Sequence, residues 1–465
     1  MAETAFRTPR LRSALAGVSW PALLEGLAAQ LAATLYQFEH SQWWAPEELA
    51  QVQQAQQRAL LTHALHSVPY YRQRYADHGL GHDAQSLVEA WSALPVLTRA
   101  AVQEAGSTLY STALPAAHGA VEVVQTSGST GQPVQVLSTG VTRFFWHACT
   151  LREHLWQQRD FSGTLVAIRP DRHSAPGGIV SPSWGPPVDV LFATGPSALL
   201  HSSTAIEAQL AWLRHQQPTY LLSLPTNLQA LAEVCSQDGV TLPTLRGVRS
   251  YGETLRPAQR RLFQETWGVP VTDVYSAQEV GYIALQCPEA AQYHVQSEHL
   301  LLEILDDAGQ PCAPGAIGRV VLTTLLNFAS PLIRYALGDY VEVGEQCPCG
   351  RGLPVIRRVL GRERHLVVLP DGRRHWPSFP EHDWMPLAPI RQLQLVQHTP
   401  QHIEARIVAP RALTSQEQAH LRQVFTASLG YPFTFTFTYH HTIPQGPNGK
   451  FEDFLSHVAP CLGSR

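Results

Sequence analysis

The stretch TYLLSLPTNLQALAEVCSQ, residues 219–237, joins a short apolar run to a segment with helical spacing. Two similar apolar runs precede this stretch in the chain, TLVAI (164–168) and VDVLFA (188–193). A segment with helical spacing, STAIEAQLAWLRHQ (203–216), lies between VDVLFA and the quoted stretch. Strands that alternate with helices of this length are typical of crossover units in a parallel sheet. The sequence therefore predicts an α/β fold with mostly parallel sheets flanked by helices.

The chain divides by sequence pattern into a larger and a smaller part. Residues 1 to about 115 have mostly helical spacing, and closely spaced strands with turn signals follow Gly281, which predicts a small β-rich subdomain. The charged segment LGRERHLVVLPDGRRHWP, residues 360–377, marks a boundary near residue 362. We therefore expect an N-terminal domain over residues 1–361 and a small, mobile α+β domain over residues 362–465.

The C-terminal part combines strands with one helix. Its predicted helix begins near Ser415, which has the spacing of a capping box with Gln418, and ends at Gly430. The run FTFTFTY, residues 433–439, alternates apolar and polar residues and predicts a half-buried strand. Lys450 lies on the loop that follows this strand.

The bulk composition argues against several classes of function. The 465 residues carry a formal charge of −4 at pH 7, which gives no basic footprint for nucleic acid. The N-terminus lacks the continuous apolar core of a signal peptide, and Trp20–Tyr36 has the spacing of an amphipathic helix rather than a membrane span. Seven cysteines without a secretory signal indicate a reducing cytoplasm.

Lys450 is the only lysine among 33 basic residues. A lysine is a compact point charge that can approach one reacting oxygen, whereas arginine is a broad planar fork. Chance retention is the alternative explanation. Because Lys450 is followed by Phe451 rather than Ser or Thr, the chain has no phosphate-binding loop of the Walker type, and an ordinary ATPase or kinase is disfavoured.

The run VVQTSGSTGQPV, residues 123–134, places hydroxyls and glycines directly after an apolar strand. Glycines let the backbone approach an anion closely, and hydroxyls and free amides supply hydrogen-bond donors. This pattern predicts a phosphate-binding loop. A flexible turn is the alternative.

Three carboxylates follow predicted strands in the central part of the chain, namely Glu253, Glu279 and Asp339. The carboxyl ends of parallel strands are where open α/β sheets bind ligands. Glu279 is a candidate oxygen ligand for Mg²⁺ beside a polyphosphate. Asp339, which follows a glycine, is suited to accept two hydrogen bonds from a ribose diol. Salt-bridged or ordinary turns are the alternatives.

Four residues have the donor types of a structural zinc site, and they are Cys287, His294, Cys347 and Cys349. Buried reduced cysteine is the alternative explanation. The remaining cysteines have no neighbouring ligands in sequence and are predicted to be buried and reduced; they are Cys149, Cys235, Cys312 and Cys461.

Six motifs resemble those of the adenylate-forming ligase superfamily and occur in the same order as in that superfamily. The resemblance covers nearly the whole chain, and within the superfamily it is to the phenylacetate–CoA ligase group and its capsule-cluster relatives. The motifs are TSGSTGQPV (126–134), YGETL (251–255), VYSAQEVG (274–281), LIRYALGDY (332–340), LGRERH (360–365) and PNGKF (447–451).

The resemblance implies a role for each matched residue. Lys450 would contact the carboxylate and the α-phosphate, Tyr275 would flank the acyl-adenylate, and Glu279 would bind Mg²⁺. The nucleotide-binding residues implied are Ser127, Gly128, Ser129, Thr130 and Gly131 at the phosphates, Gly252 and Glu253 at the adenine, Arg334 and Asp339 at the ribose, and Arg362 near the hinge. It also strengthens the zinc prediction.

The reaction implied is attack of a carboxylate on the α-phosphorus of MgATP, giving acyl-AMP and pyrophosphate, followed by acyl transfer to a thiol such as CoA. The acid would be aromatic or another small organic acid, and a homodimer is the assembly expected for this group. An amide ligase or a carrier-protein ligase, passing the acyl group to an amine or a pantetheine thiol, stays open. A non-catalytic nucleotide-binding homologue is the third alternative.

Three positions depart from the family pattern. His365 ends the hinge segment where relatives show aspartate, Ser276–Gln278 replaces the usual residues after Tyr275, and Arg99 stands where relatives often carry lysine. A cluster of aromatic residues could line an aryl pocket or form ordinary core, and it comprises Phe144, Phe145, Trp146 and Trp184.

Overall fold

The computed structural model describes residues 9–80, 83–126, 133–170, 177–362, 366–375, 377, 384–443 and 452–458. The chain forms two compact units, Met1–Val359 and Leu360–Arg465.

Within the described ranges the α-helices are α1 (Gly26–Ser41), α2 (Pro46–Ser67), α3 (Pro69–Asp77), α4 (Ala84–Glu89), α5 (Arg99–Ala105), α6 (Gly140–Trp156), α7 (Val188–Leu191), α8 (Ile206–Gln216), α9 (Pro225–Asp238), α10 (Pro257–Trp267) and α11 (Ser415–Leu429). Short 3₁₀ turns occupy Trp91–Ala93, Gly106–Leu109, Ala116–His118 and Met385–Leu387. None of these helices has the length and apolarity needed to span a membrane.

The strands of the first unit are β1 (Glu122–Gln125), β2 (Gln135–Ser138), β3 (Leu165–Arg169), β4 (Ile179–Ser181), β5 (Ser197–His201), β6 (Tyr220–Ser223), β7 (Gly247–Tyr251), β8 (Val271–Ala277), β9 (Gly281–Gln286), β10 (Tyr293–Val295), β11 (Leu300–Leu305), β12 (Ile317–Thr324), β13 (Tyr335–Val343) and β14 (Val355–Arg362), the last of which continues into the second unit. The second unit adds β15 (Val367–Val368), β16 (Arg374–His375), β17 (Gln392–Thr399), β18 (His402–Val408), β19 (Thr434–Tyr439) and β20 (Phe454–Ser456).

One large sheet organises the first unit, with the strand order β11-β12-β13-β14-β10-β9-β8-β7-β6-β3-β5-β4. Strands β5, β3, β6, β7 and β8 are parallel neighbours. Helices α8, α9 and α10 connect the successive strands from β5 to β8, as the alternation in sequence predicts. Strand β9 runs antiparallel to β8, and β11 to β13 form an antiparallel meander. The α/β fold class is therefore confirmed.

The crossover unit quoted first shows how local sequence sets this geometry. Strand β6 ends at Ser223, and Pro225 occupies the first turn of α9, where a missing N–H costs nothing. Helix α9 ends at Gly239, which adopts a left-handed conformation with φ of 64°. Its apolar face packs Leu228, Leu231 and Cys235 against the parallel strands.

The second unit is a four-stranded sheet with the order β19-β18-β17-β20 and one long helix, α11. Apolar side chains of the strands and of α11 form its core, including Leu395, Ile403, Phe425 and Phe454. In β18, the buried residues Ile403, Ala405 and Ile407 alternate with partly exposed ones, among them His402, Glu404 and Arg406. This alternation is expected of a sheet with one face packed against the core.

Several element predictions are confirmed and two are wrong. The run FTFTFTY forms β19, and Gly430 ends α11 in a left-handed conformation. The capping box is one residue earlier than predicted, because Thr414 accepts from Glu417 N and Glu417 Oε2 accepts from Thr414 N. A charged carboxylate in the first turn is favoured by the helix dipole over a glutamine amide.

The run VDVLFA is not a strand but contains α7. Val188 and Leu191 are its buried residues, three apart, which suits one helical turn. A short apolar run cannot be assigned by periodicity alone. The apolar run before the predicted phosphate loop does form a strand, β1, but β1 pairs antiparallel with β2 rather than joining the large sheet.

Candidate active site

The β1–β2 pair closes the base of the predicted phosphate loop. Thr126 N donates to the carbonyl oxygen of Val134 over 2.9 Å, and Val134 N donates to Thr126 Oγ1 over 2.9 Å. The predicted loop residues Ser127, Gly128, Ser129, Thr130 and Gly131 lie outside the described residues. The two ends of the loop are thus fixed by reciprocal hydrogen bonds.

Arg99 holds this loop base to a neighbouring strand. Its guanidinium donates to Thr126 Oγ1 over 2.9 Å. The residue before the α5 cap, Leu97, pairs with β13, since Leu97 N donates to Arg334 O and Ala336 N donates to Leu97 O, each over 2.9 Å. Arg99 therefore stands between the phosphate-loop base and the start of β13.

Tyr335, the first residue of β13, connects Arg99 to the predicted Mg²⁺ ligand. Its hydroxyl donates to Glu279 Oε1 over 3.4 Å, and both side chains are buried. Burial raises the pKa of the Tyr335 hydroxyl, the Glu279 carboxylate raises it further, and Arg99, which also hydrogen-bonds this hydroxyl, opposes the rise. The hydroxyl stays protonated and is a donor to Glu279.

Tyr275 and Asp339 meet at the same edge of the first unit. The Tyr275 hydroxyl donates to Asp339 Oδ2 over 2.8 Å. Tyr275 is near the end of β8, and Asp339 follows Gly338, which has φ of 86°, a conformation that favours glycine. The two motifs that carry these residues are more than 60 positions apart in sequence and adjacent in space.

Gly252 and Glu253 follow the parallel strand β7. Gly252 has φ of 76°. The Glu253 carboxylate accepts from Thr226 N over 3.0 Å and from Thr226 Oγ1 over 3.1 Å, so it holds the first turn of α9. This contact positions the turn at the carboxyl end of β7. A contact of this pair with adenine stays a prediction.

The structure gives Arg334 a set of internal partners. Its side chain is 3 % exposed, and it donates to the carbonyl oxygens of Ser92 and Leu94 over 2.8 and 2.5 Å. Its Nε and Nη2 donate to the Glu303 carboxylate over 3.2 and 3.0 Å. Because the guanidinium already has these partners within the protein, ribose binding by Arg334 stays a prediction.

Two predicted residues belong to the second unit. Arg362 is the last residue of β14 and is partly exposed. Lys450 lies outside the described residues, as does His365. The catalytic role of Lys450 and the hinge role of Arg362 stay predictions.

The four predicted zinc ligands come together in the first unit. Their ligand atoms all lie within 4.8 Å of one another. Cys347 Sγ is 3.7 Å from Cys287 Sγ, and Cys349 Sγ is 3.3 Å from His294 Nε2. A tetrahedral ion with Zn–S bonds of about 2.3 Å separates two sulfurs by about 3.8 Å. The donor set and its spacing therefore fit a tetrahedral Zn²⁺.

His294 is in the form that binds a metal. Burial lowers its pKa to about 4, Arg351 and Arg152 lower it as well, and a hydrogen bond with the backbone of Leu353 opposes them. A neutral imidazole is the metal-binding form. Of the other cysteines, Cys149 and Cys235 are buried as predicted, whereas Cys312 is partly exposed; Cys461 lies outside the described residues.

The four aromatic residues considered for an aryl pocket divide into two environments. Trp184 is 8 % exposed and donates through Nε1 to the Gly163 carbonyl, so it is core. Trp146 is 39 % exposed and packs its ring 4.6 Å from that of Tyr282, at the start of β9. Phe144 and Phe145 are half-buried on α6. An aryl-pocket role stays a prediction for Trp146, Phe144 and Phe145.

Comparisons with known proteins give sequence relatives and a fold. No protein-family model matches the chain. Phenylacetate-coenzyme A ligase of Thermus thermophilus is 29 % identical over 188 residues, which are 38 % of this chain and 41 % of that relative. Phenylacetate-coenzyme A ligase of Pseudomonas putida is 23 % identical over 342 residues, 70 % of this chain and 74 % of that relative. The Thermus match thus spans less than half of that relative.

Among solved structures, 2-hydroxyisobutyryl-CoA ligase, in the postadenylation state with 2-HIB-AMP, superposes with a TM-score of 0.69. It is 17 % identical, and the match covers 90 % of this chain and 91 % of that one. The chain therefore shares the fold of this CoA ligase. Both of these sequence relatives are phenylacetate-coenzyme A ligases, which agrees with the resemblance carried by the motifs.

Proposed function

We propose that this protein activates a small carboxylic acid with ATP, forming acyl-AMP and pyrophosphate, and then transfers the acyl group to the thiol of CoA. The observation that carries the proposal is that three of the six motifs and Arg99 meet in the first unit. Arg99 and Thr126 at the loop base contact one another, Tyr335 reaches Glu279, and Tyr275 reaches Asp339. The named relatives are CoA ligases, which agrees with it.

In the proposed adenylation step, a carboxylate oxygen of the acid attacks the α-phosphorus of ATP. A new oxygen–phosphorus bond forms, and the bond from the α-phosphorus to the bridging oxygen of pyrophosphate breaks with its electron pair. Negative charge grows on the α-phosphoryl oxygens, where a compact cation is favoured, and Lys450 would supply it. The hydroxyls and amides of residues 127–131 would hold the departing phosphates.

The described residues would orient the nucleotide. Asp339 would accept hydrogen bonds from the ribose diol, and the Tyr275 hydroxyl, by donating to Asp339, would fix the direction of that carboxylate. Gly252 and Glu253 would border the adenine, with Arg334 supporting β13 and Arg362 acting near the hinge. Tyr275 and Asp339 lie within strands and Gly252 directly follows one, which supports the proposal because the backbone at each position is fixed.

Glu279 would be the protein ligand of Mg²⁺. When bound beside the phosphates, Mg²⁺ neutralises part of their negative charge. The residues fit this ion, since Glu279 offers a carboxylate oxygen and Tyr335, which is itself hydrogen-bonded by Arg99, donates to that carboxylate. Zn²⁺ at the Cys/His cluster formed by Cys287, His294, Cys347 and Cys349 would be structural, because four protein ligands leave no open position for a substrate.

The test of the proposed reaction is the identity of its nucleotide product. The purified protein is incubated with MgATP and pools of aryl, aliphatic and amino acids, with and without CoA. We expect AMP and pyrophosphate from one pool, with AMP release accelerated by CoA. ADP as the product would contradict adenylation.

A second arm of the same experiment separates the acceptors. Hydroxylamine or a primary amine replaces CoA in parallel reactions. AMP release that depends on CoA supports the acid–thiol ligase. AMP release that depends on the amine and not on CoA would contradict thioester formation while leaving the adenylation step intact.

A further inference from the structure

The segment Cys347–Gly352, CPCGRG, connects the Cys/His cluster to the junction between the first two helices. Two of its residues, Cys347 and Cys349, are predicted metal ligands, and its last residues face Gln42–Ala45, which link α1 to α2. Every contact described next lies within the first unit. The segment therefore has a ligand end and a docking end only a few residues apart.

Gln42 is the centre of the docking end. Its side chain is 1 % exposed, and its Oε1 accepts from Arg351 Nε and from Trp156 Nε1, each over 3.0 Å. Its backbone carbonyl accepts from Gly352 N over 2.8 Å. A buried amide with this many partners is costly to expose or to leave unpaired. The helix junction is thus hydrogen-bonded directly to the segment that carries two thiol ligands.

Arg351 adds aromatic contacts to these hydrogen bonds. Its guanidinium carbon lies 4.9 Å from the centre of the Trp43 ring and 4.8 Å from that of Trp156, within the range of cation–π attraction. The ring of Trp156 in turn lies 5.8 Å from that of His294, a predicted metal ligand. One connected set of side chains therefore joins the ligand His294 to the helix junction.

At residue 352 the backbone of the segment lies so close to the junction that only glycine fits. A Cβ at Gly352 would stand 1.8 Å from the carbonyl oxygen of Trp44. Gly350 has φ of 84°, with Trp43 as the nearest neighbour of an added Cβ. A loop that must hold this shape needs a constraint, and a metal ion bound to residues 347 and 349 would supply it, because metal binding is coupled to the folding of its ligand loop.

We propose that a divalent metal ion of the Zn²⁺ type at the Cys/His cluster locks the segment Cys347–Gly352 in the shape that docks Gln42, so that attachment of the α1–α2 junction depends on the metal. The ion acts on the N-terminal helices through Arg351 and Gly352. This role is independent of the proposed reaction, since it concerns the docking of α1 and α2 rather than a step in catalysis.

The experiment compares hydrogen exchange of the full-length protein with bound zinc, after removal of the metal with a chelator, and after readdition of Zn²⁺. Metal content is measured on each sample. We expect removal to speed amide exchange roughly tenfold or more in peptides covering residues 39–50 and 347–352, with no change in β6, and readdition to restore protection. Unchanged exchange at residues 39–50 after loss of the metal would overturn the proposal, as would a protein that binds no Zn²⁺.

Two pairs of variants sharpen the test. Cys349→Ser removes a ligand and should reproduce the metal-free exchange pattern, whereas Cys312→Ser, a cysteine outside the cluster, should match wild type. Gln42→Ala should leave residues 39–50 in fast exchange even in excess Zn²⁺, and Gln37→Ala, an exposed position on α1, should not. If Zn²⁺ protected residues 39–50 of Gln42→Ala as well as those of wild type, the proposed route through Gln42 would be wrong. Should Cys349→Ser fail to fold, the wild-type comparison still decides.

Discussion

The Tyr275 hydroxyl donates a 2.8 Å hydrogen bond to the Asp339 carboxylate, joining the end of a parallel strand to the antiparallel strand β13. The two residues come from different motifs, and this contact gives the carboxylate one fixed donor. An oxygen atom oriented in this way is prepared to accept from a ribose diol with little further loss of side-chain freedom.

Tyr275→Phe removes the donor and keeps the ring. On the proposed function we expect the KM for ATP in pyrophosphate exchange to rise about fivefold, the size of one lost hydrogen bond near 1 kcal/mol. Tyr36→Phe, at a position 67 % exposed on α1, is the control and should not change it. A KM for ATP equal to that of wild type in Tyr275→Phe would show that the contact does not orient the nucleotide site.

Arg99→Ala removes the guanidinium that donates to Thr126 Oγ1 and contacts Tyr335. We expect kcat/KM for ATP to fall about tenfold or more, because the loop base loses a charge-assisted hydrogen bond. Arg99→Lys keeps the charge and should retain more activity than the alanine variant.

The matched control for Arg99 is Arg58→Ala, which removes only an exposed contact with Gln85. Equal activity of Arg99→Ala and Arg58→Ala would show that Arg99 has no role in the active site. Steady-state kinetics at varied ATP separate this effect from a general loss of folded protein.

Structural features that depend on a local sequence pattern could be predicted from the sequence. The α/β alternation, the strand β19 and the end of α11 at Gly430 follow from periodicity and capping chemistry. The four cluster residues Cys287, His294, Cys347 and Cys349 could be named because few residue types bind zinc. These features depend on residues close in sequence or on a small set of donor types.

Other features depend on contacts that no local pattern encodes. The sequence singles out Arg99 because relatives often carry lysine there, but only the fold shows that its partner is Thr126. Arg334 is in a predicted ribose motif, yet its donors go to Glu303 and to carbonyls before α5. The short run VDVLFA was equally compatible with strand and helix, and tertiary packing decides such cases.

Glu303→Gln tests the structural partner of Arg334. The exchange leaves the buried guanidinium of Arg334 without its carboxylate, and the Trp91 indole loses a charged acceptor. Because removal of one member of a buried ion pair is strongly destabilising, we expect the free energy of unfolding to fall by about 3 kcal/mol. Denaturant unfolding measures it, with Arg373→Ala, at an exposed pair, as the control expected to be neutral. An unfolding midpoint equal to that of wild type in Glu303→Gln would contradict this assignment.

Glu153 should make stability depend on pH. Burial raises the pKa of this carboxyl, but Arg159 and Arg249 outweigh burial and lower it from 4.5 to about 2. Arg159 binds the carboxylate through two nitrogens, at 2.5 and 2.7 Å. A depressed pKa in the folded state contributes stability that is present above pH 4.5 and is lost as the pH falls from 4.5 toward 2.

We therefore expect Glu153→Gln to be less stable than wild type by about 3 kcal/mol at pH 7, with the difference shrinking as the pH falls below 4.5. Urea titrations of both proteins at pH 7, 5 and 4 provide the comparison. A stability difference that stays constant across this range would show that ionisation of Glu153 is not its cause.

The measurement that tests the central claim most directly is carboxylate-dependent ATP–pyrophosphate exchange, in wild type and in Lys450→Ala. The account predicts exchange with at least one pool of acids, reduced about 10²-fold in the variant, the scale of losing one electrostatic group at the reacting phosphorus. Lys450→Arg should not restore it fully, because a planar fork replaces a point charge. Exchange of equal rate in wild type and Lys450→Ala, or no exchange with any acid by a protein that binds ATP, would contradict the account.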